Sequence, residues 1–293
     1  MNVLITGSSG YIGSNLIRSL AINQDYNITG LSKRSNGIKS PNYKEIIADL
    51  SISDFINKIP IHTKFDAVIH LAQSSFYRNF PEKAQDIFDV NTASTMNLLE
   101  WSRRKGIKKF IFSSTGNVYS PSEKMLVETD KCSSSSFYSA SKILSETLVK
   151  EYANYLECYI LRIFGVYGPG QNKMIISNLK DKIIKNEEIT LANNLGMVYT
   201  PLYIADCINM IEIMLKKSGK NIIYNFAGNE SVNLNTITMI MSKALNIKPK
   251  IKITSGKTNY LNGNNQKFCK DFSFQPEYDV IKGLMETIKN NIK

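Results

Sequence analysis

The chain begins with Met1-Asn2-Val3-Leu4-Ile5-Thr6-Gly7-Ser8-Ser9-Gly10-Tyr11-Ile12-Gly13, which combines an apolar run with three glycines. The run from Asn2 to Thr6 predicts a buried strand, and a helix is predicted from about Tyr11. Between them, Gly7 permits a tight turn, Gly10 lets the backbone approach a pyrophosphate, and Gly13 lets the helix pack closely on the strand. The N-terminus of that helix would offer free N–H groups and a positive dipole end to the phosphate. The stretch therefore predicts a phosphate-binding turn.

Strands and helices alternate through the rest of the first half of the chain. The predicted strands are Asn27 to Leu31, Glu45 to Ala48, Phe65 to Leu71, Lys109 to Ser113 and Cys158 to Ile163, and the predicted helices are Pro81 to Arg104 and Tyr138 to Tyr155. This alternation indicates βαβ units, which build a doubly wound parallel sheet of the Rossmann type in an α/β protein. Regular alternation ends at the turn-rich stretch Gly165 to Gly170. We therefore predict a Rossmann domain over residues 1–165 and a smaller C-terminal α/β substrate-binding domain over 166–293, some segments of which return to the first domain.

Composition argues against several classes of function. The 293 residues carry a formal net charge of +11, but the lysines are scattered rather than aligned in a stripe, so a nucleic-acid partner is not expected. The N-terminus lacks the features of a secretion signal, and no apolar run approaches the ~18 residues that a membrane span needs. We therefore expect a soluble cytoplasmic protein without a membrane partner.

The cysteines and histidines indicate neither a metal site nor a disulfide framework. The four cysteines are widely spaced without a C-x-x-C pair, and His62 and His70 are the two histidines beside them. His70 lies in the apolar run Ala67 to Ala72, where a hydrogen-bonded core histidine is a simpler interpretation than a catalytic one. Proton chemistry is therefore expected from other groups.

The residues after the second strand, Ser32-Lys33-Arg34, bear on which dinucleotide the turn would hold. Rossmann proteins that bind NAD place an acidic residue there for the adenosine ribose 2′-hydroxyl, whereas a basic residue accommodates the 2′-phosphate of NADP. No carboxylate occupies this position, and the planar guanidinium of Arg34 suits a phosphate. The alternative is an ordinary basic loop in a lysine-rich protein. We favour NADP(H) as the cofactor and keep NAD(H) as the alternative.

Two Tyr-x-x-x-Lys pairs, Tyr138/Lys142 and Tyr278/Lys282, are candidates for proton transfer. On a helix this spacing puts both side chains on one face, one turn apart. A phenol is a poor base at neutral pH, but a neighbouring ammonium stabilises the phenolate and lowers its pKa. Chance alone is expected to give about one or two such pairs in this composition, so the spacing does not choose between them.

An ordered series of motifs runs along nearly the whole chain. It consists of Thr6 to Gly13, Asp49-Leu50, Phe65 to Ala72, Asn91, Phe112 to Thr115 with Val118-Tyr119, Tyr138 to Lys142, Leu161 to Phe164 with Val166 to Gly170, and Tyr224 to Gly228. The series resembles the extended short-chain dehydrogenase/reductases, the NAD-dependent epimerase/dehydratase family that modifies nucleotide sugars. Tyr138/Lys142 follows the fifth strand at the distance found in that family. Tyr278/Lys282 lies in the predicted C-terminal helix, and its spacing is interpreted as a coincidence.

The resemblance implies a catalytic group and a cofactor site. Tyr138 would pass a proton to or from a sugar oxygen, Thr115 would hydrogen-bond that oxygen, and Lys142 would also bind the nicotinamide ribose. The residues implied to bind the cofactor are Gly7, Ser9, Gly10, Tyr11, Ile12, Gly13, Ser32, Lys33, Arg34, Asp49, Leu50, Leu71, Ala72, Gln73, Tyr138, Lys142 and Phe164. A homodimer is implied as well, formed by the helices near Asn91 to Arg104 and Tyr138 to Tyr155.

Three functions stay open at this point. Dehydratases of the family generally carry an Asp-Glu pair after the threonine, where this chain has Gly116 and Asn117, so 4,6-dehydration is not expected. The favoured function is NADPH-dependent reduction of the C4 ketone of a 4-keto-6-deoxy nucleotide sugar, as in polysaccharide biosynthesis. The alternatives are a nucleotide-sugar 4-epimerase like UDP-glucose 4-epimerase with bound NAD, and a non-catalytic NADP-binding sensor or interaction protein. Tyr199 stands where relatives often have an arginine that would meet the nucleotide diphosphate.

Overall fold

The computed structural model describes residues 1–60, 62–219 and 222–289. Its strands are β1 (Asn2–Thr6), β2 (Asn27–Ser32), β3 (Tyr43–Ile47), β4 (Ala67–His70), β5 (Lys109–Thr115), β6 (Glu157–Ile163), β7 (Val166–Tyr167), β8 (Glu188–Ala192), β9 (Met197–Tyr199), β10 (Leu202–Tyr203), β11 (Ile223–Phe226), β12 (Val232–Asn233), β13 (Lys250–Thr254) and β14 (Asn259–Leu261). Its α-helices are α1 (Tyr11–Ile22), α2 (Ala84–Phe88), α3 (Ser94–Arg104), α4 (Phe137–Tyr152), α5 (Ile175–Ile184), α6 (Ile204–Lys216), α7 (Leu234–Leu245), α8 (Gln266–Phe272) and α9 (Val280–Lys289).

Seven strands form the central sheet, in the order β11-β6-β5-β4-β1-β2-β3. The four pairs from β5 to β3 are parallel, and the order reverses between β1 and β4, where Thr6 lies opposite His70. Ligands of open parallel sheets bind outside the carboxyl ends of the strands at such a switch point. The predicted Rossmann fold of the α/β class is confirmed, and it brings the glycine turn after β1 next to the segment that follows β4.

The strands at the switch point are apolar because both faces of a parallel sheet are covered. The run Val3 to Ile5 in β1 and the pair Val68-Ile69 in β4 are fully buried. α1 buries the stripe formed by Leu16, Ile17 and Leu20. Helical periodicity puts these three side chains on one face, so α1 packs by that face and the turn before it has a fixed geometry.

The helix predicted from Pro81 to Arg104 is interrupted. α2 begins only at Ala84, and a π-helical turn over Asp89–Ala93 separates it from α3. Asn91 in this turn bonds to α4, because its Nδ2 donates to Ser141 Oγ at 2.9 Å and its backbone oxygen accepts from Ser145 Oγ at 2.8 Å. Such buried polar contacts stabilise a wide turn that apolar periodicity does not predict.

The chain divides into two compact units. The first consists of the described residues of Met1–Ser120, Lys131–Arg162 and Ile208–Tyr224, and the second of those of Pro121–Asp130, Ile163–Cys207 and the part from Asn225 onward. Segments of the two units therefore alternate along the chain. The assignment of residues 1–165 to a Rossmann domain and of 166–293 to a substrate-binding domain stays a prediction.

In the second unit, Tyr278 belongs to a packing cluster. It stacks on Tyr203 with ring centroids 4.1 Å apart, and its backbone N donates to Asp206 Oδ2 at 3.0 Å. Lys282 Nζ bonds Glu277 Oε1 at 2.9 Å. The prediction that Tyr278 lies in the C-terminal helix is wrong, because the bond to Asp206 holds this backbone before α9 begins. These contacts give the Tyr278/Lys282 pair a structural role.

Lys109, at the start of β5, caps the C-terminal end of α6. Its buried Nζ donates to Met214 O at 2.5 Å and to Lys217 O at 3.1 Å, which satisfies carbonyls that the helix leaves without partners. We expect Lys109→Met to lower the free energy of unfolding by about 1–3 kcal/mol in urea titrations, because these oxygens lose a charged donor. The exposed neighbour supplies a matched control, Lys108→Met, with an expected loss below about 0.5 kcal/mol. Equal losses in the two variants would contradict the capping role.

Candidate active site

The turn after β1 has the geometry that close approach of a phosphate requires. Gly7 adopts φ +69°, and a Cβ on it would lie 2.8 Å from the backbone N of Ala72. A Cβ on Gly13 would lie 2.3 Å from Gly7 O. Only glycine fits at these two positions. No side chain caps α1 at Gly10, so the first turn of the helix offers its N–H groups to an anion.

A cavity of about 350 Å³ lies at this turn, within the first unit. The predicted cofactor residues that line it are Gly7, Ser9, Gly10, Ser32, Lys33, Arg34, Asp49, Leu50, Leu71, Ala72 and Gln73. Tyr11, Ile12 and Gly13 form the first turn of α1 and do not line the cavity. Phe164 is fully buried in the second unit, where its ring lies against Gly263. The role of all these residues in cofactor binding stays a prediction.

Five residues beyond those predicted also line the cavity, namely Ala48, Ser74, Ser75, Asp86 and Val90. Ser74 and Ser75 follow Gln73 after the carboxyl end of β4, so the switch-point rule could have indicated them. Asp86 accepts a hydrogen bond from Ser74 Oγ. The position of Asp86 at the cavity depends on the path of the segment before α2, which no local sequence motif predicts.

In the basic stretch Ser32-Lys33-Arg34, the side chains of Ser32 and Lys33 bind neighbouring residues of the protein. Ser32 Oγ accepts from Ser8 Oγ at 2.9 Å and donates to Arg34 O at 2.7 Å. Lys33 Nζ lies 2.5 Å from Asp49 Oδ2. Burial raises the pKa of Asp49, but the hydrogen bond from Lys33 helps to outweigh burial and the pKa is lowered. Among the residues that the structure describes, the Arg34 guanidinium has no hydrogen-bond or ion-pair partner, so its charge is available to a ligand.

Thr115 is the last residue of β5, and Tyr138 and Lys142 lie in the first turns of α4. Tyr138 Oη donates to Gln73 Oε1 at 3.0 Å. Thr115 Oγ1 accepts from Asn117 N at 3.2 Å and from Asn117 Nδ2 at 3.1 Å. Asn117 stands where dehydratases carry the second residue of their Asp-Glu pair. Its amide donates hydrogen bonds but cannot exchange a proton, so this position lacks the acid or base that dehydration needs.

The Tyr138 phenol is held in its neutral form. Burial raises the pKa of Tyr138 above its ordinary value, and the nearby Thr115 side chain opposes this effect only in part. The lowered pKa predicted from the neighbouring Lys142 is therefore wrong for this structure. Lys142 Nζ donates instead to Ser113 O at 2.8 Å and lies 4.9 Å from the centroid of the Phe112 ring, so its charge is engaged by β5.

Lys142 is itself perturbed, because burial lowers its pKa to about 7 while Glu146 opposes the shift. Between pH 7 and the ordinary lysine pKa, the unfolded chain binds one proton more than the folded chain, so the free energy of unfolding rises with pH. Lys142→Met removes this dependence. In urea titrations, we expect the free energy of unfolding of the variant minus that of the wild type to be about 2 kcal/mol lower at pH 9 than at pH 7. A difference that does not change with pH would contradict this result.

His70 is a core residue. It is fully buried, with Nδ1 2.6 Å from Thr6 Oγ1 and Nε2 3.0 Å from Thr95 Oγ1. Burial lowers its pKa to about 3, with the charge of Lys142 acting in the same direction. The imidazole is therefore neutral, and the prediction of a hydrogen-bonded core histidine is confirmed.

Tyr199, at the place of the usual arginine, is buried in the second unit. Its ring lies 3.3 Å from the position that a Cβ on Gly165 would occupy. Burial raises the pKa of Tyr199, so the phenol stays neutral and supplies no cation for a diphosphate.

Residues 1–60, 62–219 and 222–289 contain no group of three or more His, Cys, Asp or Glu side chains that could hold a metal ion. In the same part of the chain, every helix is too short or too polar to cross a membrane.

Known proteins resemble this chain in sequence and in fold. A putative UDP-glucose 4-epimerase of Methanocaldococcus jannaschii is 27% identical over 306 residues, which cover 99% of both chains. The structure of Thermotoga maritima UDP-glucose 4-epimerase with UDP-glucose has a TM-score of 0.89 at 23% identity. That of Bacillus cereus UDP-glucuronic acid 4-epimerase, in complex with UDP-glucuronic acid and NAD, has a TM-score of 0.86 at 23% identity. Both comparisons cover 99% of this chain and 98% of the other.

The sequence pattern of one family extends over most of the chain, from residue 3 to residue 227. It covers the glycine turn, the central sheet and the Thr115, Tyr138 and Lys142 group, so the resemblance stated from the motifs is confirmed. The protein is a member of the NAD dependent epimerase/dehydratase family, whose enzymes act on nucleotide sugars.

Proposed function

We propose that this protein is a nucleotide-sugar 4-epimerase that works with bound NAD. The observation that carries the proposal is the grouping of Thr115, Tyr138 and Lys142, with Asn117 in place of a second acid or base. Inversion at C4 needs proton transfer at one sugar oxygen, whereas elimination of water needs a further acid and base. The T. maritima and B. cereus proteins are 4-epimerases of UDP-sugars, which favours this alternative over the reductase and favours a UDP-sugar as substrate.

The residues of the group have separate tasks in this proposal. Tyr138 Oη exchanges one proton with the C4 oxygen, accepting it from the hydroxyl as phenolate and returning it to the ketone as phenol. Asn117 donates twice to Thr115 Oγ1, so the Thr115 hydroxyl is left to act as a donor toward the same sugar oxygen. Lys142, whose Nζ donates to Ser113 O, would bind the nicotinamide ribose, as the family resemblance implies. The dinucleotide supplies the redox chemistry at C4 when it is bound.

NAD is proposed as the cofactor because the basic stretch after β2 is largely engaged. Asp49 neutralises Lys33, and the Ser32 hydroxyl bonds to its neighbours, which leaves Arg34 as the cation of this stretch for a 2′-phosphate. The fit of the glycine turn to a pyrophosphate is common to NAD and NADP. The B. cereus structure contains NAD.

Two observations favour a second candidate, an NADPH-dependent reductase of a C4 ketone. The Arg34 guanidinium is available to a 2′-phosphate, and a neutral Tyr138 phenol is the form that donates a proton to a ketone. The homodimer implied by the family resemblance stays a prediction in either case.

The cofactor proposal predicts how Arg34→Ala changes dinucleotide affinity. NAD lacks the 2′-phosphate, so we expect its Kd in calorimetric titration to stay unchanged, while the Kd of NADP rises about tenfold through loss of one charge-assisted contact. Arg18, exposed on α1, supplies the matched control Arg18→Ala, which is expected to change neither Kd. A wild type that binds NADP more tightly than NAD, with the order reversed in Arg34→Ala, would support the reductase instead.

The activity itself is tested with UDP-glucose, UDP-glucuronic acid and their C4 epimers, each incubated with the protein and NAD and analysed by proton NMR. The proposal predicts that one pair approaches a common equilibrium from both sides, without net change of absorbance at 340 nm. Stoichiometric loss of NADPH on addition of a 4-keto-6-deoxy nucleotide sugar, with no epimer formed, would establish the reductase. No conversion in either assay, together with tight dinucleotide binding, would indicate the non-catalytic sensor.

A further inference from the structure

Gln73 connects the cavity to the catalytic tyrosine. It follows β4 by three residues, its exposed side chain lines the cavity, and its Oε1 accepts a hydrogen bond from Tyr138 Oη at 3.0 Å. Tyr138 lies 65 positions further along the chain, so the contact is made by the fold and not by local sequence. The switch point thus places an amide oxygen directly on the group that must exchange a proton.

The direction of this hydrogen bond decides its chemical effect. An amide oxygen can only accept, and a phenolate has no proton to donate, so the bond exists only while Tyr138 is a neutral phenol. Loss of the proton would leave the Gln73 oxygen facing a negatively charged oxygen until the side chain turned to present its N–H groups. In the orientation of this structure, Gln73 therefore favours the protonated form of Tyr138.

The other groups around Tyr138 act differently. The ring of Tyr77 lies with its centroid 5.1 Å from that of Tyr138, and the Arg78 guanidinium lies 5.0 Å from the centroid of the Tyr77 ring. The Thr115 side chain lowers the pKa of Tyr138 and so favours the phenolate. Lys142, one helical turn after Tyr138, has its Nζ bonded to Ser113 O. In the described part of the chain, Gln73 is thus the acceptor to which the Tyr138 hydroxyl donates.

We infer that Gln73 is a positioning residue that keeps Tyr138 in its phenol form until the substrate displaces the amide. The inference rests on the proposed function, in which Tyr138 must give its own proton to solvent before the phenolate can accept the proton of the C4 hydroxyl. Displacement of the amide by the sugar therefore sets the protonation state in which Tyr138 meets the C4 oxygen. Gln73 therefore acts through Tyr138 and does not itself exchange a proton.

The first test needs no substrate. A ring-fluorinated tyrosine placed at position 138 of the full-length protein lowers the titration into an accessible pH range, and its fluorine NMR shift reports ionisation. Gln73→Leu removes the acceptor at similar size, so we expect the titration midpoint to fall by about one pH unit. Gln73→Glu keeps the acceptor and adds negative charge, so we expect the midpoint to rise. The matched control is Gln85→Leu on the exposed face of α2, where the midpoint is expected to stay unchanged.

The second test uses turnover. The pH limb that reports Tyr138 in kcat/KM is expected to move to lower pH in Gln73→Leu by the same amount as the fluorine midpoint, and to higher pH in Gln73→Glu. An altered KM with an unmoved midpoint and limb would show that Gln73 is only a wall of the cavity, and would overturn the inference. If the protein converts none of the sugars offered, the proposed function fails, while the fluorine titration still decides whether Gln73 holds the proton.

Discussion

Replacing Tyr138 with phenylalanine is expected to lower kcat for C4 epimerisation by about 10²–10⁴-fold, the contribution typical of a positioned acid or base. The substitution removes one oxygen, which exchanges the proton in the proposed mechanism and bonds Gln73 Oε1 in this structure. The phenyl ring is kept and one hydroxyl is lost, so the affinity for NAD is expected to change much less than kcat. Steady-state rates and calorimetric titration with NAD measure the two effects separately.

The second Tyr-x-x-x-Lys pair supplies the control for this prediction. Tyr278→Phe makes the same change in a ring that stacks on Tyr203 in the second unit, so kcat is expected to stay at the wild-type value. A Tyr138→Phe variant with full activity would show that Tyr138 is not the catalytic acid and base.

Replacing Arg162 with methionine is expected to lower the free energy of unfolding by about 3–5 kcal/mol, because it leaves a buried carboxylate without its partner. Arg162 Nη2 lies 2.7 Å from Glu146 Oε2, and both side chains are only 3% exposed. Ser114 Oγ also donates to Glu146 Oε1, at 2.5 Å, so the carboxylate is fixed by β5, β6 and α4 together. Urea-induced unfolding followed by circular dichroism measures the loss.

Two further variants separate the buried charge from simple loss of packing. The double variant Glu146→Met with Arg162→Met removes both charges, so it is expected to lose less stability than Arg162→Met alone. Arg103→Met breaks an exposed pair with Glu100, for which the expected loss is below about 1 kcal/mol. If the double variant is less stable than the single one, the unpaired carboxylate is not the source of the effect.

The first strand, the glycine turn and the first helix could be predicted from sequence because their signals are local. Apolar side chains run without interruption from Val3 to Ile5, and Gly7 and Gly13 occupy positions where a Cβ would collide with backbone. Alternation of strands and helices, together with the handedness of crossovers, then predicts a doubly wound parallel sheet without knowledge of any contact. The roles of Thr115, Tyr138 and Lys142 are implied by the family resemblance, which distinguishes Tyr138/Lys142 from Tyr278/Lys282 by its distance from the fifth strand, and they stay predictions.

Features that depend on contacts between distant segments could not be predicted. The π-helical turn around Asn91 depends on hydrogen bonds to Ser141 and Ser145, and these polar residues look like an ordinary helix surface in the sequence. The protonation of Tyr138 was predicted in the wrong direction, because the spacing to Lys142 shows neither burial nor the bond from Lys142 to Ser113. The contact between Gln73 and Tyr138 joins the ends of two elements that only the fold brings together.

The most direct measurement of the central claim uses a UDP-hexose with deuterium at C4, incubated with the protein and unlabelled NAD and followed by NMR. Epimerisation by oxidation and reduction at C4 predicts that the inverted sugar retains its deuterium, because the hydrogen removed from C4 returns to C4 of the same molecule. Loss of the label to solvent during inversion would contradict the proposed mechanism, and no inversion of any UDP-hexose or UDP-hexuronate would contradict the assignment as a 4-epimerase.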